Sequence, residues 1–208
     1  MRGDALKASA PAVALGATGL ITFGTLSATM MQALDTTIAN VALPHMQGSL
    51  SASQEQVAWV LTSYIVASAI ATTPTGYLAN RYGVKRIFLI AVAGFTIASM
   101  LCGIASSLTE IVFFRLLQGI FGAALVPLSQ TTLLDTYPPE KQGSAMAAWG
   151  VGVMIGPIIG PALGGWLTEY YSWRWVFYIN LPIGIATFFA LKAALPDSEP
   201  RRSAPMDF

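Results

Sequence analysis

Six long apolar stretches, separated by breaks too short to hold a domain, constrain this chain more than any other feature. They lie at about 17–43, 57–78, 87–107, 109–132, 143–167 and 175–195. A membrane-spanning helix needs roughly 20 mostly apolar residues, and each stretch meets that length. The breaks are polar: HMQGSLSASQEQ, NRYGVKR, the pair Ser106–Ser107, DTYPPEKQ and EYYSWR. Hydrocarbon offers no partner to a backbone N–H or C=O, so each stretch must close its own hydrogen bonds as a helix. The expected fold is therefore all-α and integral to a membrane. Composition agrees, because 10% of the residues are charged against about a quarter in soluble domains.

The same numbers exclude several functions. A net charge of +1 leaves no basic surface for nucleic acid, which is expected to be absent as a partner. A single cysteine, Cys102, excludes an internal disulfide and a cysteine cage for metal. No phosphate-cradling Walker A loop is present, so ATP is not the energy source within this chain. A membrane enzyme would want clustered His, Asp or Glu, and these are scattered. No cofactor, metal or enzymatic activity is expected.

Orientation follows from Lys and Arg. With the N-terminus inside, Arg2, Lys7, Arg81, Lys85, Arg86, Lys141, Lys192, Arg201 and Arg202 all fall on the cytoplasmic side, as the positive-inside rule requires. The organisation expected is a cytoplasmic segment at 1–14, a six-helix bundle at 15–196, and a cytoplasmic tail or linker at 197–208. Trp59, Trp166, Trp173 and Trp175 then gather at the outer interface as an aromatic belt. The first stretch is too long for a signal peptide and is read as a retained helix. His45, after Pro44, is expected in a solvated outer loop, and Cys102 in the core. Ser107-Leu-Thr-Glu110 reads as a capping box opening the fourth helix.

An internal repeat divides the bundle at about 15–107 and 108–196. GYLANRYGVKRIF from Gly76 and GWLTEYYSWRWVF from Gly165 share Gly, Leu, Tyr and Phe at aligned places. The first closes helix two and the second helix five. Three helices are an odd number, so such repeats run in opposite senses, as in secondary transporters with a site at the repeat interface.

Two charges sit inside apolar stretches. Asp35 lies in the first helix and Arg115 in the fourth, both roughly 10–13 Å below the outer surface at 1.5 Å per residue. An intramembrane charge is costly and marks a partner or a pathway. The two are expected to work as a proton- or substrate-linked pair, in its sharper form as a coupled pair in proton exchange, with a structural ion pair fixing the two helices as the alternative. Thr25, Thr29, Gln32, Asp35, Thr36 and Asn40 share an arc of about 140° on helix one. Arg115, Gln118, Gly119, Gly122, Ser129 and Gln130 make a comparable stripe on helix four. These stripes suggest a central aqueous cavity, with Gln32, Thr36, Asn40 and Gln118 as its lining.

Helix five carries Gly152, Gly156, Gly160 and Gly164 every four residues, followed by Gly165, with Pro157 and Pro161 among them. A bare backbone face permits close helix contact, and the prolines remove two helix hydrogen bonds. This face reads as packing alone or as a bent, tightly packed element that seals a pathway, and its partner is expected outside the six-helix bundle. The loop residues Gly76, Asn80, Arg81, Gly83, Lys85 and Arg86 read as an orientation signal or as a latch between helix ends through Arg81 and Asn80.

Together these segments resemble the major facilitator superfamily, and within it the fourteen-helix drug:proton antiporter branch, the EmrB/QacA-like exporters. LDTTIANVALP (34–44) is similar to the first-helix signature of that branch. GYLANRYGVKR (76–86) resembles the superfamily loop motif, and FRLLQGIFGA (114–123) the helix-four motif built on a buried arginine. GVMIGPIIGPALGGWL (152–167) resembles the antiporter motif of helix five, and WRWVFYINLPIG (173–184) the start of helix six. The resemblance implies the N-terminal bundle of a proton-coupled exporter of lipophilic drugs or toxic compounds in the bacterial cytoplasmic membrane, working by alternating access. It implies as partners the lipid bilayer, a lipophilic substrate and protons, a missing C-terminal bundle and, in gram-negative members, a periplasmic membrane-fusion protein with an outer-membrane channel. An uptake symporter or facilitator of the same fold, or a non-transporting six-helix module, is the alternative. The family loop motif carries Asp where this chain has Asn80, which removes the carboxylate of an ionic latch there.

Overall fold

The computed structural model describes residues 15–196; the segments expected at 1–14 and 197–208 lie outside the described residues. Eight helical elements follow in order: α1 (Leu15–Ser49), α2 (Gln54–Tyr82), α3 (Val84–Ile104), α4 (Leu108–Gly122), α5 (Leu125–Thr136), α6 (Pro139–Tyr170), α7 (Trp175–Tyr178) and α8 (Asn180–Ala194). The fourth apolar stretch is α4 and α5 together, interrupted at Ala123 and Ala124, one turn before Pro127, which offers no N–H to the Ala123 carbonyl. The sixth is α7 and α8, interrupted at Ile179.

Local chemistry sets the ends. Ser53 opens α2 with a full capping box: Gln56 N–H donates to Ser53 Oγ at 3.2 Å, and Ser53 N–H to Gln56 Oε1 at 2.9 Å. The box expected at Ser107 is only half formed. Ser107 Oγ accepts from Glu110 N–H at 3.3 Å, but the Glu110 carboxylate turns to the backbone and hydroxyl of Ser106 instead. Gly83 separates α2 from α3 at φ 90°, a conformation that side-chain-bearing residues resist. The outer loop expected around His45 is helix: α1 continues through Pro44 to Ser49, with His45 exposed on it. One missing N–H does not end a helix whose following turns are otherwise bonded.

Five helical segments among the described residues are long and apolar enough to cross a membrane: Gln54–Tyr82, Val84–Ile104, Leu108–Thr136, Pro139–Tyr170 and Trp175–Ala194. At 35 residues α1 is longer than any of them, yet it falls outside this set; its apolar run is broken by Gln32, Asp35 and Asn40 and diluted by Thr and Gly. Its position explains that. It is packed against α5, α6, α7, α8 and α2, so protein rather than lipid surrounds much of it. Its threonines are also satisfied at home, with Thr25 bonded to the Ile21 carbonyl, Thr29 to Thr25 and Thr37 to Ala33. The outside of the bundle is apolar, with Ile70, Val151 and Ile158 exposed to 70%, 69% and 73%. Such a surface suits hydrocarbon and not water.

Packing follows an exchange pattern. The first helix packs most heavily on α6 and then on α8; α4 packs most heavily on α2 and then on α3. Swapping helices one to three for four to six converts each pairing into the other.

The glycine face of helix five has its partner inside this bundle, which overturns the expectation that it waits for a second one. A Cβ at Gly156 would lie 2.8 Å from the Ala33 Cβ and 3.0 Å from the Leu34 nitrogen; one at Gly160 would strike Thr37. The bare backbone lets α6 close on α1 until Thr37 Oγ1 reaches the Gly156 carbonyl at 3.4 Å. Gly165 meets nothing within 4 Å.

Two apolar cores result. One gathers Ile21, Met31, Tyr64, Phe88, Phe95 and Leu125. The other gathers Leu34, Ile38, Val60, Cys102, Ile111 and Phe177. Helix α1 passes from one core to the other between Met31 and Leu34, and α2 between Val60 and Tyr64, with polar side chains at the boundary.

Candidate functional site

That boundary holds the charge pair. Arg115 Nη1 bonds to Asp35 Oδ2, and the two residues are 0% and 2% exposed. Helix one and helix four therefore meet through the residues that the sequence singles out. Gln118, one turn beyond Arg115, donates from Nε2 to Asp35 Oδ1 at 2.8 Å and accepts from Arg115 Nη1 at 2.9 Å. Arg115 Nε also donates to the Val60 carbonyl at 3.1 Å, and its guanidinium lies 4.2 Å from the centre of the Tyr64 ring. Gly119 makes this reach possible, since a Cβ there would run into the α2 backbone at Tyr64.

Three participants escape a reading of the sequence. Asn180, at the start of α8, donates from Nδ2 to Asp35 Oδ1 at 3.1 Å and to Ser99 Oγ at 2.9 Å. Ser99 donates in turn to the Phe177 carbonyl at 2.9 Å. Tyr64 supplies its ring face. Each is a polar-bearing residue within an apolar stretch, the same signal that exposes Asp35; Asn180 even lies in a quoted motif. Cys102 is buried as expected, and its thiol also donates to Gln118 Oε1 at 3.6 Å.

The expected cavity does not open along both stripes within this bundle. Arg115, Gln118, Gly119, Gly122 and Ser129 are buried between helices, so Gln118 lines no open space here. Among the other residues expected to line it, Gln32 and Thr36 are half-buried and Asn40 is exposed. Thr36 bonds to the Ala33 carbonyl at 2.9 Å, and Asn40 donates to the Thr36 carbonyl at 2.7 Å. None of the three is a hydrogen-bond partner of Asp35 or Arg115. The stripe was half misleading because a threonine hydroxyl can be satisfied by its own helix.

The loop residues sit apart from the pair. Arg81 donates to the Tyr77 hydroxyl at 2.9 Å, one turn back on its own helix, while Asn80 and Arg86 are exposed. At the end of α3, Arg174 donates to the Gly103 carbonyl at 3.0 Å and to that of Ala105, and stacks 4.4 Å over Trp173. Trp173 also belongs to the second core, edge-on to Phe177, and at 5% exposure it leaves the expected aromatic belt; Trp59, Trp166 and Trp175 remain exposed.

A helical membrane bundle with a charge pair sealed at its centre defines the class: a polytopic integral membrane protein built around an intramembrane ion pair. Residues 25–207 match the Major Facilitator Superfamily, and the chain belongs to that family. It is 48% identical over 176 residues to the multidrug export protein EmrB of Haemophilus influenzae, covering 85% of this chain and 34% of that protein. Against EmrB of Escherichia coli strain K12 the identity is 46% over 182 residues, covering 88% and 36%. Against the fatty acid resistance protein FarB of Neisseria gonorrhoeae it is 50% over 158 residues, covering 76% and 31%. The chain thus spans about a third of the length of these curated relatives. The proton:xylose symporter XylE shares the fold at a TM-score of 0.77 and 16% identity, covering 87% of this chain and 45% of that one.

Proposed function

We propose that the chain is the N-terminal bundle of a proton-coupled antiporter that exports lipophilic drugs or toxic compounds across the bacterial cytoplasmic membrane. The observation that carries the reading is the buried Asp35–Arg115 pair, which joins helices one and four in a polar layer between the two apolar cores. A carboxyl sealed in that position changes the charge of the bundle interior whenever it takes up or loses a proton. Relatives named as multidrug export proteins support export of drugs over uptake. The likeness to a symporter extends to the fold alone.

Alternating access rocks one bundle against another around a shared site. The proposal therefore includes a C-terminal bundle, inverted repeats at about 15–107 and 108–196, and both ends of this segment in the cytoplasm. The exchange pattern of helix packing supports the repeats. In a gram-negative cell, a periplasmic membrane-fusion protein and an outer-membrane channel complete the route. Of the half-buried and exposed candidates, Gln32, Thr36 and Asn40 are the ones free to meet substrate.

The test is expression of the full-length gene product in a host stripped of its own efflux pumps. Resistance to lipophilic compounds should rise, and efflux should stop when the proton gradient is collapsed. Accumulation of the compounds inside the cell would sink the export reading.

Orientation has its own measurement. Cysteines placed at Ser51 and Ser172 should react with an impermeant maleimide on intact cells, while one at Asn80 should react only after permeabilisation. Buried Cys102 gives little background. Labelling of Asn80→Cys from outside would reverse the topology.

A further inference from the structure

The Asp35 carboxylate is ringed by donors. Arg115 Nη1 bonds to Oδ2, and Gln118 Nε2 and Asn180 Nδ2 bond to Oδ1. This arrangement fits the charged form and leaves no acceptor for a proton on Asp35. Some neighbour must turn over when the proton arrives. Arg115 has no acceptor to offer. Gln118 Oε1 already accepts from Arg115 and Cys102, and turning its amide would press an NH2 group against the guanidinium. Asn180 differs. It is 0% exposed, yet its Oδ1 is buried without a hydrogen-bond partner.

We propose that Asn180 is the acceptor that reads the protonation of Asp35, by turning its side-chain amide so that Oδ1 takes the new O–H. The proton itself stays on the Asp35 carboxyl; no other covalent bond is made or broken, and only hydrogen bonds change partners. The turn withdraws the NH2 group from Ser99 and presents an acceptor in its place. Ser99 can then swing its hydroxyl from the Phe177 carbonyl to Asn180 Oδ1. That carbonyl belongs to α7, and Asn180 begins α8, with the helix interrupted between them at Ile179. Protonation on helix one is thereby passed to the junction of the sixth span. The titratable and charged groups facing Asp35 are Arg115 from α4, Tyr64 from α2 and Cys102 from α3. Asn180 and Ser99 are the uncharged ones that can exchange donor for acceptor.

This inference rests on Asp35 as the proton carrier, and the experiment separates the two. Infrared difference spectra of the full-length gene product in nanodiscs, recorded across a pH titration, follow two bands. One is the protonated carboxyl stretch, assigned to Asp35 by its loss in Asp35→Asn. The other is the side-chain carbonyl of 13C-labelled asparagine, assigned to position 180 by Asn180→Ser, or by Asn180→Gln where the serine variant does not insert. The expected result is a shift of the Asn180 band that follows the Asp35 carboxyl band through the same pH range and vanishes in Asp35→Asn. A titrating Asp35 with an unmoved Asn180 band would overturn the inference and leave the carrier reading intact. Absence of any Asp35 carboxyl band would remove both.

Discussion

Replacing Asp35 with Asn in the full-length gene product should abolish proton-driven efflux while the protein still inserts. The substitution keeps size and a hydrogen-bonding oxygen but deletes the titration. Removing one member of a buried ion pair costs about 3–5 kcal/mol when the other is left uncompensated. Here Arg115 keeps the Val60 carbonyl at 3.1 Å, Gln118 Oε1 at 2.9 Å and the Tyr64 ring at 4.2 Å. The loss should therefore appear as a lowered unfolding temperature rather than as absence of folded protein. A purely structural pair makes the opposite forecast: little folded Asp35→Asn, with partial recovery in Asp35→Asn/Arg115→Gln, where no lone charge remains. Thermal unfolding in detergent and transport into vesicles, measured on the same preparations, distinguish the two. If Asp35→Asn folds and still drives concentrative, gradient-dependent efflux, Asp35 is not the proton carrier.

Valine at Gly156 or Gly160 should be nearly as damaging, by a different route. Overpacking a tight contact costs about 1–3 kcal/mol where the neighbours cannot give way. At Gly156 the obstacle includes the α1 backbone, with the Leu34 nitrogen 3.0 Å and the Ala33 carbonyl carbon 3.1 Å from an added Cβ. At Gly160 it is Thr37, already tied to the carbonyls of Ala33 and Leu34 at 2.9 and 3.0 Å. At Gly152 the nearest atom is the terminal Leu26 Cδ2, the far end of a flexible side chain. Alanine substitutions should therefore rank with Gly156 and Gly160 most destabilising, Gly152 mild and Gly165 silent. Both valine variants should insert and lose efflux. Wild-type efflux from both would show that helices one and five need not touch closely.

The sequence carried the six stretches because a membrane makes the apolar signal long and continuous. It exposed Asp35 and Arg115 because a charge in such a stretch stands out against its neighbours. It could not say which helix faces which. The glycine periodicity on helix five was legible as a bare face, but whether α1 or a second bundle covers that face depends on tertiary packing. The threonine stripe on α1 overstated the cavity, since composition does not reveal that Thr25, Thr29 and Thr36 bond to their own helix. Asn180 and Ser99 were visible as polar residues in apolar runs. Their neutral side chains gave less contrast, and only the fold brings them to Asp35. Trp173 illustrates the same limit: its place near a helix end suggested an interface, and the second core with Phe177 and the Arg174 guanidinium take it in instead.

The polar layer between the two cores also sets depth. Apolar side chains set one turn out of register still meet apolar neighbours and leave no polar group unpaired. Asp35, Arg115, Gln118, Ser99 and Asn180 have no such freedom. A shift of one helical turn, about 5.4 Å, would carry any of them out of reach of the rest and leave a charge or an amide against hydrocarbon. The layer thus indexes α1, α3, α4 and α8 to a common plane during assembly, and a bundle packed one turn out of step declares itself by an unpaired charge.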